Sequence, residues 1–196
     1  MSDTDRSKWN RRYREGAYGD RKHPTPLLER WIEKIPCGKA LDVACGAGRN
    51  ALFLAARGFE VDAVDISAAG LERGRAMARG AGLKIHWIEH DFDSPLETTG
   101  EYQLILMVRY VNLPLLNGLC DRLAPGGFLM CEEHLRVASG EDLAGPSNPA
   151  FRVRPGDLQK AATGLDIEYS FEGRLRDPDG RQVALAQLVG RRPPHN

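Results

Sequence analysis

The chain reads as an α/β protein: a doubly wound, mostly parallel sheet of seven strands that ends in a C-terminal antiparallel hairpin. Three observations predict this. Short apolar runs alternate with amphipathic segments between Lys39 and Glu133, the pattern of repeated strand–helix–strand units. A glycine-containing turn, Cys45–Gly46–Ala47–Gly48, directly follows the first of those runs. Near the end, two alternating segments flank Asp177–Pro178–Asp179–Gly180, whose Asp–Gly step signals a hairpin.

The elements follow in order. Residues 1–36 are polar and aromatic and are interrupted by Pro24, Pro26 and Pro36; they read as a helical cover segment on one compact domain, 37–196. In that segment Trp9 and Tyr13 lie four apart on a helix, and Pro26 to Lys34 is amphipathic, with Leu27, Leu28, Trp31 and Ile32 on one face. Lys39 to Ala44 is a buried strand. Arg49 to Arg57 is a helix stopped by Gly58, which suits the left-handed position after a helix. Glu60 to Asp65 is the second strand, and Ser67 caps a helix that runs to about Arg79. Lys84 to Ile88, Tyr102 to Val108 and Phe128 to Glu133 are the next three strands. Leu113 to Leu123 is a helix with Pro114 in its first turn, and Pro125–Gly126–Gly127 turns the chain into the fifth strand. Ala138 to Pro149 is loop, Pro155 to Ala162 a short helix, and Asp166 to Arg174 with Gln182 to Val189 the hairpin.

Composition narrows the function. The 196 residues suit one domain, and 42% hydrophobic with 28% charged residues suits a packed core. Lysine plus arginine and aspartate plus glutamate are 27 each, so net charge calls for no nucleic acid. Arg6, Arg11, Arg12, Arg14, Arg21 and Lys22 crowd the N-terminus, and read as a solvated face. Cys37, Cys45, Cys120 and Cys131 have no CxxC spacing, so neither a metal site nor a disulfide framework is expected. No apolar run is long enough to span a membrane, and Met1 to Asn10 lacks a signal-peptide core. The reading is a cytoplasmic protein.

In a sheet of this kind, ligands bind beyond the carboxyl ends of the strands. Gly46 and Gly48 let the turn tighten and let a ligand approach main-chain atoms. Gly46–Ala47–Gly48–Arg49–Asn50–Ala51 also fits the dinucleotide fingerprint, with Asp65 at the ribose-acid position, so an NAD(P)-binding oxidoreductase is one reading. Asp42 favours the other. A carboxylate next to the loop opposes a pyrophosphate and suits a ligand with a sulfonium and an ammonium, S-adenosylmethionine (SAM). Asp65 then accepts the ribose hydroxyls, Asp91 accepts the adenine amine, and Phe92 or Ile66 covers the ring.

Leu41–Asp42–Val43–Ala44–Cys45–Gly46–Ala47–Gly48 resembles the first motif of the class I SAM-dependent methyltransferases. Ala44 replaces a common first glycine, a mild departure. Val64–Asp65–Ile66–Ser67, His90–Asp91–Phe92 and Leu123–Ala124–Pro125–Gly126–Gly127 resemble the family's later motifs in order. The resemblance implies a Rossmann-like fold, SAM as cofactor, and cofactor contacts from Asp42, Ala44, Gly46, Gly48, Arg49, Asn50, Asp65, Ile66, Asp91, Phe92, Val108 and Tyr13. Gly48–Arg49–Asn50 with Leu52 to Ala55, Trp9–Asn10–Arg11–Arg12–Tyr13, Asn148–Pro149–Ala150–Phe151 and Pro155–Gly156–Asp157–Leu158 are similar to the tellurite-resistance, TehB-like branch.

Methyl transfer from SAM is an in-line displacement that needs orientation and a dry cavity. The stretch Met107–Val108–Arg109–Tyr110–Val111–Asn112 lacks the Asn/Asp–Pro–Pro–aromatic run of nucleobase and protein-amide methylation. Arg109, Tyr110 and His23 are the candidates for positioning the acceptor. Tyr18 is a further one, and Glu133 with His134 a candidate base pair. Each has a plain structural alternative: Arg109 caps a helix or pairs with Glu133, His23 lies in a loop, Trp9 and Tyr13 are packing. Glu132 and Glu133 point to opposite faces, so at least one is structural. The acceptor reads as a small molecule, a thiol, chalcogen oxyanion or similar. A non-catalytic SAM-binding protein is the remaining reading.

Overall fold

The strands form one seven-stranded sheet in the order β3-β2-β1-β4-β5-β7-β6. They are β1 (Lys39–Val43), β2 (Glu60–Asp65), β3 (His86–Glu89), β4 (Tyr102–Val108), β5 (Leu123–His134), β6 (Asp166–Arg176) and β7 (Gln182–Arg191). The computed structural model describes residues 3–19, 21–137 and 143–194. The helices are α1 (Asp3–Arg14), α2 (Pro26–Trp31), α3 (Arg49–Ala55), α4 (Ala68–Gly80), α5 (Leu113–Cys120) and α6 (Asp157–Ala161), with 3₁₀ turns at Ile32–Lys34 and Pro149–Phe151. β1 and β3 each pair with β2 in parallel. β7 pairs antiparallel with both β5 and β6. The expected mixed α/β sheet with its terminal hairpin is therefore the observed one. The chain forms two compact units, Met1–Gln103 and Leu104–Asn196.

In the first unit, Ala40, Leu41, Val43, Val61, Ala63 and Val64 are all buried. Apolar residues at consecutive positions bury both faces of β1 and β2, as parallel strands require. Ser67 caps α4 as expected, its Oγ accepting from Gly70 N at 3.1 Å. Asn10 of α1 joins that cap: its Oδ1 accepts from Ala69 N at 3.0 Å and from Ser67 Oγ at 2.9 Å. The cover helix is thus fastened to α4 by a polar side chain. Asn50 does the same for α2, its Oδ1 accepting from Thr25 N at 2.9 Å.

β2 also carries a buried acid. Asp62 is 4% exposed, and accepts from Tyr102 Oη at 2.7 Å, with Lys39 Nζ at 3.1 Å and His86 Nδ1 at 2.8 Å. Burial alone would raise its carboxyl. Tyr102, His86 and Lys39 outweigh that and hold it below the ordinary carboxylate range.

In the second unit, Leu104, Ile105, Leu106 and Met107 are wholly buried. Asn112 caps α5 by accepting from Leu115 N at 3.0 Å. The structure corrects several boundaries. β3 starts two residues later than the expected Lys84, and the helix expected to reach Leu123 ends at Cys120. β5 begins at Leu123, so Pro125–Gly126–Gly127 lies inside a strand and not in a turn before it. The reason is long-range pairing: Gly126 N donates to Arg192 O at 3.0 Å, and Arg192 N to Gly127 O at 2.9 Å. Of the expected Ala138–Pro149 loop, residues 138–142 lie outside the described residues.

Candidate functional site

β1 delivers the chain into a loop with three left-handed residues, Ala44 (φ 53), Gly46 (φ 60) and Gly48 (φ 76). The loop is tightly packed. A Cβ on Gly46 would sit 2.1 Å from Tyr13 Oη, and one on Gly48 2.4 Å from the Trp87 indole. The same indole lies 2.5 Å from where a Cβ of Gly74 would be. Gly48 and Gly74 therefore admit Trp87 as a wedge between the loop and α4, which only glycines at both positions allow.

Asp65 closes the loop from the end of β2. Its Oδ2 accepts from Gly46 N at 2.8 Å and its Oδ1 from Ser67 N at 2.7 Å. Burial raises its carboxyl, against the pull of the Ser67 and Gly46 N–H groups. Asp42, 2% exposed, accepts from Ala51 N at 3.1 Å and so anchors the start of α3. Burial pushes its carboxyl up to about 7, while the Ala51 N–H and Arg49 oppose the rise. Burial also raises the Tyr13 phenol, with Asp65 adding to the effect, and lifts the Cys45 thiol beside it. Two buried acids whose hydrogen bonds come from backbone N–H groups fit a cationic, hydroxyl-bearing ligand. They do not fit a pyrophosphate, whose charge they would repel.

The other expected cofactor residues of this unit fall at strand ends. Ile66 follows β2 and is 3% exposed; Phe92 follows β3 and is 7% exposed. Phe92 meets His90 edge-on at 5.3 Å. Asp91 turns the chain there, its Oδ1 accepting from Asp93 N at 3.1 Å. Arg49 donates through Nη1 to the His23 carbonyl at 3.3 Å, and His23 itself lies on an exposed bend. Trp9, Tyr13 and Tyr18 form an aromatic cluster with centroids 6.0 to 6.5 Å apart.

The second unit holds a different constellation, built on the ends of β4 and β5. Arg109, left-handed at φ 61, follows Val108. Its Nε donates to Glu132 Oε1 at 3.1 Å, its Nη1 to His134 Nε2 at 2.9 Å and its Nη2 to Asp177 Oδ1 at 3.0 Å. Arg109 thus pairs with Glu132, not with Glu133 as the plain alternative had it. Glu132 is further held by Gln187 Nε2 at 2.6 Å. Glu133, 1% exposed, takes Tyr110 N on Oε1 at 3.0 Å, and its Oε2 is buried without a hydrogen-bond partner. Burial drives the Glu133 carboxyl well above its ordinary range, against Tyr110 N–H and Arg109.

Sequence reasoning gave Asn10 no role beyond its place in the Trp9–Tyr13 motif, and it missed Asp62 and the Trp87 wedge. Gly70 and Gly74, one helical turn apart inside α4, were the available signal for a close approach there. Nothing in the spacing marked Asn10 or Asp62.

A family model described as a methyltransferase domain matches residues 40–127. The chain is 30% identical to a ubiquinone biosynthesis O-methyltransferase of Rickettsia akari, over 92% of this chain and 82% of that protein. Among solved structures, TehB from Haemophilus influenzae superposes with a TM-score of 0.69 at 18% identity, over 85% of this chain. This chain spans 61% of that one. A magnesium protoporphyrin IX methyltransferase from Synechocystis, solved with bound SAM, gives 0.62 at 15% identity, over 85% of this chain and 76% of that one.

Proposed function

The chain belongs to the class I SAM-dependent methyltransferases, and from that premise we propose that it methylates a small-molecule nucleophile centred on oxygen or sulfur. One observation carries the choice of acceptor: the alignment with an O-methyltransferase runs over 92% of this chain, so the likeness is not confined to the cofactor half. A thiol, like a hydroxyl, forms its bond to the methyl carbon and loses a proton, whereas a chalcogen oxyanion would attack through the lone pair of its chalcogen; all are compact nucleophiles. The reading takes neither nucleic acid nor membrane as a partner and takes the enzyme as cytoplasmic. Among the described residues no helix is long and apolar enough to cross a membrane.

When bound, SAM supplies a methyl carbon activated by its sulfonium. The residues of the first unit that would hold it are Asp65 for the ribose hydroxyls, Asp42 for the positive charge, Asp91 for the adenine amine, and Ile66 and Phe92 for the ring faces, with Gly46, Gly48, Ala44, Arg49, Asn50 and Tyr13 as further contacts; in the second unit Val108, at the end of β4, is the expected one. Asp65 is already oriented by Gly46 N and Ser67 N, so binding needs no reordering of that carboxylate. On the acceptor side, Glu133 is the candidate for taking a proton in its ionised form, which burial disfavours, and His134 is the less available of the two. His134 Nε2 is occupied by Arg109, whereas Glu133 Oε2 has no hydrogen-bond partner. Arg109 and Tyr110 position the loop that Glu133 holds, and His23 stands as a further positioning group.

The test is release of S-adenosylhomocysteine across a panel of catechols, phenols, thiols, selenite and tellurite. Turnover with a hydroxyl or thiol supports the reading. Turnover only with a protein or an RNA contradicts it.

A further inference from the structure

β6 is the outermost strand of the sheet, and among the described residues no strand pairs with its outer edge. An unpaired edge is a template for another strand, and proteins blunt it with charged side chains (lysine above all), proline, bulges or a short length. β6 runs for 11 residues and contains neither lysine nor proline. Its charges are sorted by sign. Asp166 and Glu168 lie at its start, Arg174 and Arg176 at its end, and all four are exposed. The polar residues between them are already used: Ser170 Oγ accepts from Gln159 Nε2 at 3.0 Å and Glu172 Oε1 from Gly156 N at 2.6 Å, both holding α6.

We propose that this edge pairs with the same edge of a second copy, antiparallel about a two-fold axis near Phe171, to make a dimer. Charge complementarity selects both the partner and the direction. Antiparallel self-pairing lays the acidic start of one strand along the basic end of the other, and the symmetry repeats the match. Parallel pairing would set acid beside acid and arginine beside arginine. The register irregularity of β6 falls between Ile167 and Tyr169, so the central stretch 169–173 stays regular for the new ladder. The pairing also takes Ile167, 41% exposed, out of water, and brings the two Phe171 rings together across the axis. None of these residues belongs to the glycine loop or to the Arg109 cluster, so the dimer is independent of the methyl-transfer reading.

Sedimentation velocity on the whole chain tests this. At low salt the wild type should sediment at twice the 21.7 kDa of the chain, and dimerisation should weaken at about 1 M salt, where screening acts within about 3 Å. Arg174→Glu with Arg176→Glu should weaken it by about a hundredfold, and Asp166→Lys with Glu168→Lys likewise. Mixing the two double variants should restore a mixed dimer, because each then presents the charge that the other lost. Far-ultraviolet circular dichroism of both double variants should match the wild type, showing that the folded chain is retained. A wild type that is monomeric at low salt overturns the proposal. So does a dimer indifferent to both reversals, or a mixture that stays monomeric.

Discussion

The acids at the glycine loop and those that meet Arg109 are partnered in opposite ways. In the first unit, the hydrogen bonds of Asp42 and Asp65 come from backbone N–H groups of the glycine loop and the helix after it. Backbone donors orient a carboxyl without pairing it with an opposite charge, so a cationic ligand can draw it into its ionised form. In the second unit, Glu132 and Asp177 share the one guanidinium of Arg109, so side-chain charge is met by side-chain charge. The difference teaches which cluster faces chemistry. The first is poised for a cation, whereas the second is a structural clamp beside which Glu133 keeps one buried oxygen without a hydrogen-bond partner.

Breaking the clamp should produce the largest effect. Arg109→Ala leaves Glu132, 2% exposed at its side chain, buried without its cation, which costs about 4 kcal/mol. Urea unfolding checks this, and a loss under about 1 kcal/mol would show that the clamp is no more than a surface ion pair. Overfilling the loop's support comes next. Gly74→Ala drives a Cβ to within 2.5 Å of the Trp87 indole and should cost about 2 kcal/mol. Adding Trp87→Ala should relieve that clash, so the double variant should be more stable than the sum of the two singles predicts.

Proton linkage sharpens the comparison further. Asp42 has its carboxyl pushed from 3.8 up to about 7, so the folded state retains a proton that the unfolded chain has lost. Its contribution to stability is therefore full at low pH and falls as pH rises from about 4 to about 7. A bound cation favours the ionised carboxylate. SAM affinity should rise as pH climbs through 7, by at most about tenfold per pH unit, and Asp42→Asn should flatten that rise. Calorimetric titrations on either side of neutrality decide it. The smallest effect concerns Ala44, which stands at φ 53 where many family members carry glycine. Ala44→Gly should stabilise the chain by about 1 kcal/mol through relief of the left-handed strain, read as a higher unfolding midpoint. That strain also corrects the sequence reading of the alanine as a mild departure.

Legibility in the sequence followed the range of the interactions. The strands, the Ser67 cap and the acids at the ends of β1 and β2 were readable because each depends on neighbours a few residues away. The hydrogen bond between Asp65 and Gly46 spans 19 residues, yet it lies within one strand–helix–strand unit whose length the fold dictates. Arg109 reaches partners 23, 25 and 68 residues away, and no spacing rule foretells that Glu132, not Glu133, receives it. The start of β5 was misread for the same reason. Pro–Gly–Gly is a turn signal locally, and only the return of the chain at Arg192 makes it strand. Trp87 was illegible because its meaning lies in two glycines that make room for it, in two different elements.

The most direct test of the central claim is calorimetric titration of the chain with SAM, beside Asp65→Ala and beside NAD. The account predicts binding of SAM and none of NAD. It predicts a loss of about a hundredfold in Asp65→Ala, the worth of two hydrogen bonds to a charged group. No heat with SAM, or an affinity that Asp65→Ala leaves unchanged, would contradict it.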